Sequence, residues 1–124
     1  MILLNDFFQI VESGVDPKSG QLTFKVRLNA SHVIYKAHFP GMPITPGVCI
    51  IQMVTECLQQ HLEEMLQLEY VKNVKFLNTI VPDGNKEVEI SFSKILKSED
   101  GKYHVQATVC DASTTYAKIS VIYD

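Results

Sequence analysis

The stretch AHFPGMPITPGVCIIQ (Ala37–Gln52) sets one histidine among three prolines and two glycines, then turns abruptly apolar. Proline fixes φ and removes a backbone donor, so Pro40, Pro43 and Pro46 argue against regular pairing. Ser31 to Pro46 therefore reads as an ordered loop. Pro46 suits the first position of a helix, and Thr45 can cap its first turn. From Val48 to Leu66 there is neither proline nor glycine, and Val48, Ile51, Val54, Leu58, Leu62 and Met65 recur at helical spacing. Ile50, Met53 and Cys57 widen that face, which predicts a first half buried nearly all round. Gln52, Thr55, Glu56, Gln59, Gln60, Glu63 and Glu64 thicken towards the other end, which is expected to emerge into solvent.

On either side of this helix the chain reads as strands. Before it, Phe7 to Glu12 is followed by the turn formers VDPKSGQ (Val15–Gln21) and then by LTFKVRLNA (Leu22–Ala30). The last alternates Leu22, Phe24, Val26 and Leu28 against Thr23, Lys25, Arg27 and Asn29, the pattern of a half-buried strand. After the helix come Glu69–Leu77, Lys86–Leu96, Tyr103–Asp111 and Thr115–Tyr123, separated by PDGN, EDGK and DAST. Val88, Ile90 and Phe92 share a face, with Lys94 as a candidate extension. Asp-Gly tolerates the positive φ of a tight hairpin. Short turns make antiparallel neighbours. The expected fold class is α+β: one curved antiparallel sheet wrapped around a single long central helix.

A chain of 124 residues with 46% hydrophobic and 20% charged residues is one domain, 1–124, able to bury a core without staples. Its net charge of −3 gives no electrostatic case for nucleic acid or an anionic membrane. Cys49, Cys57 and Cys110 are odd in number and lack CxxC spacing, so they read as reduced core thiols rather than as a disulfide framework or a zinc site. Met1 to Leu4 is too short for a secretory h-region, and no run reaches the ~20 apolar residues of a membrane span. The expected location is cytoplasmic, and no metal is expected.

HFPGMPITPGVCII (His38–Ile51) resembles the signature of the β-hydroxyacyl-acyl-carrier-protein dehydratases, which are hotdog-fold proteins. Every fixed position of H-F-P-G-x-P-x-x-P-G-V is matched, and the order of elements agrees along nearly the whole chain. The resemblance implies His38 as the catalytic histidine and Gly47 with Val48 as the helix start that binds the thioester carbonyl. Phe39 and Gly41, within the same motif, are further substrate-binding candidates. It also implies a homodimer, or a higher homo-oligomer of dimers, with joined sheets and the site at the interface. The acid then comes from the other subunit's helix. The substrate arrives on the phosphopantetheine of acyl carrier protein or CoA, with no cofactor of the protein's own, and its acyl chain enters a tunnel. Two positions depart from the pattern. Ala37 stands where the family usually has glycine, and Gln52 stands where it has Glu or Asp.

Dehydration of a 3-hydroxyacyl thioester needs a base for the proton beside the carbonyl, fixed donors for the charge on the thioester oxygen, and a proton for the departing hydroxyl. An imidazole with a pKa near ~6.5 suits the first task. The first amides of a helix, which lack internal acceptors, suit the second. The third is the difficulty, since a carboxamide delivers no proton near neutral pH. Gln52 either faces substrate or begins a polar stripe with Glu56, Gln59 and Glu63. Glu56, one turn on, either reaches back as a substitute acid or is a solvated or interface glutamate. His32 is expected at an exposed loop edge, and His61 and His104 at the surface. Lys36, Lys72 and Lys75 are candidate contacts for an acidic carrier protein. The sequence therefore points to a (3R)-3-hydroxyacyl-ACP dehydratase-like protein. The alternatives are a catalytically weak or silent acyl-thioester-binding subunit that partners an active paralogue, and a hotdog thioesterase.

Overall fold

The computed structural model describes all residues except His38 and Pro40. Its elements run β1 (Phe8–Val15), β2 (Leu22–Leu28), α1 (Val33–Ala37), α2 (Gly47–Leu62), β3 (Leu68–Phe76), β4 (Glu87–Lys97), β5 (Tyr103–Cys110) and β6 (Thr115–Tyr123). Among the described residues the six strands form one antiparallel sheet in the order β1-β2-β4-β5-β6-β3. The consecutive strands β4, β5 and β6 are neighbours because two short turns join them. At the Asp-Gly turn, Ser98 N–H donates to the Lys102 carbonyl and Gly101 takes φ +86°. The α+β hotdog expectation holds.

Alternation builds the core. Phe24, Val26 and Leu28 of β2 point inward with Val88, Ile90 and Phe92 of β4, Val105, Ala107 and Val109 of β5, and Ala117, Ile119, Val121 and Tyr123 of β6. Against them α2 sets Cys49, Ile50, Met53, Val54, Cys57 and Leu58, all in one buried cluster. Tyr123 also ties the sheet to the helix. Its hydroxyl lies 2.9 Å from that of Thr55, which gives its own proton to the Ile51 carbonyl. Tyr123 is therefore the donor of the pair.

Several sequence expectations shift. β1 runs on to Val15, because its ladder with β2 continues to the Val15–Leu22 pair. The loop expected from Ser31 to Pro46 contains the short helix α1, which ends before the first proline. The register of β4 on β5 shifts between Phe92 and Lys94, so Ile95, not Lys94, packs against the core. The helix α2 stops at Leu62, leaving Met65 beyond it and exposed. Its C-cap is Glu63, which turns left-handed at φ 55° while its N–H reaches the Gln59 carbonyl. Thr45 makes no capping bond at the start of α2, where Pro46 is the N-cap.

Candidate functional site

The proline loop is anchored at both ends by α1. Tyr35 of α1 is buried and stacks on Phe7 with ring centroids 5.1 Å apart. Its hydroxyl lies 2.8 Å from Thr45 Oγ1, and Thr45 N–H donates to the Ile80 carbonyl at 2.9 Å. That pairing accounts for the missing cap, since the Thr45 hydroxyl is taken by Tyr35. Burial pushes the Tyr35 phenol up to about 12, so it keeps its proton at neutral pH. Between the anchors, Met42 N–H donates to the Phe39 carbonyl, and Gly41 sits at φ +83°, a conformation that glycine adopts without a Cβ penalty. Phe39 and Gly41 are both exposed. His38, the expected base, lies outside the described residues.

At the start of α2, Cys49 and Ile50 donate their amides to the Pro46 carbonyl at 3.0 and 3.1 Å. The amides of Gly47 and Val48 therefore lie ahead of the helix's own ladder, at its partially positive end. The two residues face different cavities. Gly47 lines one of about 480 Å³ with Ile44, Ile50, Phe76, Leu77 and Ile80. Here the absent side chain matters, because a Cβ on Gly47 would stand 2.7 Å from the Phe76 ring. Val48, 65% exposed, lines a second cavity of about 520 Å³ with Ile2, Ile51, Gln52, Met65 and Leu68. The first helical turn thus forms a wall between two mostly apolar hollows.

The polar stripe expected along α2 does not reach solvent at its middle. Glu56 is 4% exposed, and Thr55 is buried too. The Glu56 carboxylate accepts the Leu3 amide at 2.9 and 3.0 Å, the Leu4 amide at 2.7 Å, and Gln52 Nε2–H at 2.8 Å. Gln52 Nε2 also donates to the Met1 carbonyl at 2.9 Å. Glu56 is therefore not a solvated glutamate: it is buried and reaches back one turn to the Gln52 amide. Its oxygens serve as acceptors that hold residues 1–4 against the helix. Helical periodicity pointed the stripe outward because the segment that covers it lies fifty residues away and offers backbone amides, which leave no mark in sequence. Gln52 remains half-buried, beside the second cavity.

Other candidates fall elsewhere. His32 is not an exposed loop residue: its side chain is 10% exposed, with Nε2 3.0 Å from Asp6 and Nδ1 accepting the Ile34 amide. Phe7 meets its ring edge-on. Its role there is structural, and nothing in its sequence context signals it. His61 is exposed, whereas His104 is half-buried, with Nε2 3.2 Å from the Ser98 hydroxyl. Lys36, Lys72 and Lys75 are all exposed, the last two on β3. Cys49, Cys57 and Cys110 are free thiols, and burial raises the pKa of each. No helix among the described residues is long and apolar enough to cross a membrane.

With this geometry in place, comparison with known proteins gives a consistent result. A family model described as "ApeI-like: ApeI dehydratase" matches residues 14–117. A 3-hydroxyacyl-[acyl-carrier-protein] dehydratase FabZ from Fusobacterium nucleatum is 28% identical over 111 residues, spanning 82% of this chain and 79% of that protein. The FabZ of Alkaliphilus metalliredigens is 24% identical over 125 residues, 91% of this chain and 85% of the relative. Among solved structures, the dehydratase heterocomplex ApeI:P from Xenorhabdus doucetiae superimposes with a TM-score of 0.71 at 18% identity, covering 92% of this chain and 95% of the other.

Proposed function

The chain belongs to the ApeI-like dehydratase family, and from that premise we propose that it removes water from (3R)-3-hydroxyacyl thioesters carried by acyl carrier protein, in fatty-acid or related lipid synthesis. The observation that carries this reading is the apolar cavity of about 480 Å³ beside the first turn of α2, directly after the histidine-proline loop. Its lining of Ile44, Ile50, Phe76, Leu77 and Ile80 suits an alkyl chain. Gly47 and Val48 offer unpaired amides where the thioester oxygen gains charge.

In this reading the neutral imidazole of His38 takes the proton from C2. The electron pair moves towards the carbonyl, and negative charge collects on the thioester oxygen, facing the helix start. The C3–O bond then breaks, and the imidazolium returns the proton so that the hydroxyl leaves as water. The Gln52 amide contributes no proton. Two copies complete the site. The edge strand β3 exposes Leu68, Tyr70 and Val71 beside an edge that no other described strand covers, and a second β3 fits there. The exposed lysines 36, 72 and 75 suit an acidic carrier, and the free thiols suit the cytoplasm.

The test is turnover of a 3-hydroxyacyl-ACP series by the purified protein, followed by the conjugated enoyl product. His38→Ala is expected to lower the rate by ~10²–10⁴-fold. A folded oligomer that turns over no chain length would overturn the enzymatic reading. A second reading is favoured by one observation, that both Gln52 amide hydrogens are already engaged by Met1 and Glu56. On that reading the chain is a weak or silent acyl-binding subunit whose active paralogue contributes the carboxylate. Co-purification of a second hotdog subunit, with activity only in the mixed oligomer, distinguishes the two.

A further inference from the structure

Gln52 is not free to choose which end of its amide it presents. Its nitrogen lies 2.8 Å from Glu56 Oε2 and 2.9 Å from the Met1 carbonyl oxygen. Both neighbours are acceptors, so the flipped amide would set oxygen against oxygen twice. Glu56 cannot yield, because the Leu3 and Leu4 amides hold its two oxygens from the other side. Both Gln52 N–H groups are therefore consumed within the protein. Among the described residues the amide oxygen accepts no hydrogen bond, and no buried side-chain oxygen there lacks a partner. That oxygen is consequently open, beside the cavity that Gln52 lines with Val48 and Ile51.

We propose that Glu56 is a positioning residue that locks Gln52 with its carbonyl outward, so that position 52 selects an acyl chain bearing a hydrogen-bond donor at C3. A 3-hydroxyl donates to that oxygen, whereas a 3-oxo group has only lone pairs and meets repulsion. The site thereby distinguishes a hydroxyacyl thioester from the oxoacyl thioester one reduction earlier. Discrimination resides in the amide's orientation, which the buried carboxylate dictates. This proposal rests on the reading that two copies complete the site, so that position 52 of one copy faces the substrate whose chain lies in the Gly47 cavity of the other.

The experiment measures binding of three unreactive pantetheine amides to the whole protein: (3R)-3-hydroxyhexanoyl, 3-oxohexanoyl and hexanoyl. The native protein is expected to bind the hydroxy compound about tenfold more tightly than the oxo compound, the worth of one neutral hydrogen bond. In Glu56→Gln a side-chain amide replaces the carboxylate. Its oxygen still accepts the Leu3 and Leu4 amides, and its nitrogen faces Gln52 and turns that residue's oxygen inward. The hydroxy/oxo ratio, read within each variant, should then fall to about one or invert. Gln52→Met, which keeps the length without the amide, should also lose the preference and serves if Glu56→Gln does not fold. Equal binding of the two compounds by the native protein, or a preference that survives in either variant, overturns the proposal. If hexanoyl binds but shows these failures, only the orientation argument falls. If none of the three binds, the acyl-thioester reading falls with it.

Discussion

Two carboxylates in this protein, Glu56 and Asp111, are each ringed by donors, yet they are assembled from opposite materials. Asp111 gathers the amides of Ser113 and Thr114, the Tyr116 hydroxyl and the Lys86 ammonium at 2.8 Å. All but Lys86 lie within five residues of it, and its charge is matched by a cation. Glu56 gathers amides from 52 and 53 residues away together with one side-chain amide, and among the described residues it meets no cation. A turn builds the first site almost by itself. The second exists only once the amino-terminal segment has docked on α2. The first should respond to pH and salt, and the second to anything that disturbs packing.

The sharpest way to break the contrast is to give Glu56 a charged neighbour. Gln52→Glu sets a second carboxylate where the amide now donates at 2.8 Å. Two carboxylates so close share a proton, so position 52 would hold an acid into the neutral range. Dehydration is expected to rise by ~10²-fold or more, measured as initial rates across pH. An unchanged rate would place position 52 away from the substrate. Next in size is Glu56→Leu, which strands the Leu3, Leu4 and Gln52 donors. Urea titration should show a loss of about 2–3 kcal/mol, nearly indifferent to salt.

Asp111→Asn should cost less, and its effect should be tunable. The Lys86 ammonium, with the Tyr116 hydroxyl and turn amides, holds the Asp111 carboxyl well below the ordinary range. Its folded value lies under the unfolded one of about 3.9. The stabilisation is therefore full above pH ~4 and is lost as pH falls through the folded value. Thermal melts should show a lower Tm for Asp111→Asn at pH 7. The gap to wild type should close in acid and narrow at ~1 M salt, where screening acts within ~3 Å.

The same contrast explains what could be read in the sequence. Leu22, Phe24, Val26 and Leu28 alternate, and the strand they predict is there with its inward face buried. Pro46-Gly47 marks the start of α2, and Asp100-Gly101 marks the β4–β5 turn, because each depends on the local backbone. The five residues of α1 escaped notice because one turn of helix carries no period, and proline restricts only its own position and the one before it. Thr45 misled because its hydroxyl had a better partner in Tyr35, ten residues back. The motif named the residues of the candidate site, while the network around Gln52 and Glu56 depends on main-chain amides of distant residues, which any sequence supplies.

The left-handed C-cap at Glu63 has its own consequence. An L side chain pays roughly 1 kcal/mol to sit there, and a negative charge opposes the helix dipole at that end. The molecule thus has an unexploited margin at the far end of α2 from the proline loop. Glu63→Gly would raise the melting temperature without touching either cavity wall, giving a sturdier scaffold on which the weaker variants at 52 and 56 could be studied at all.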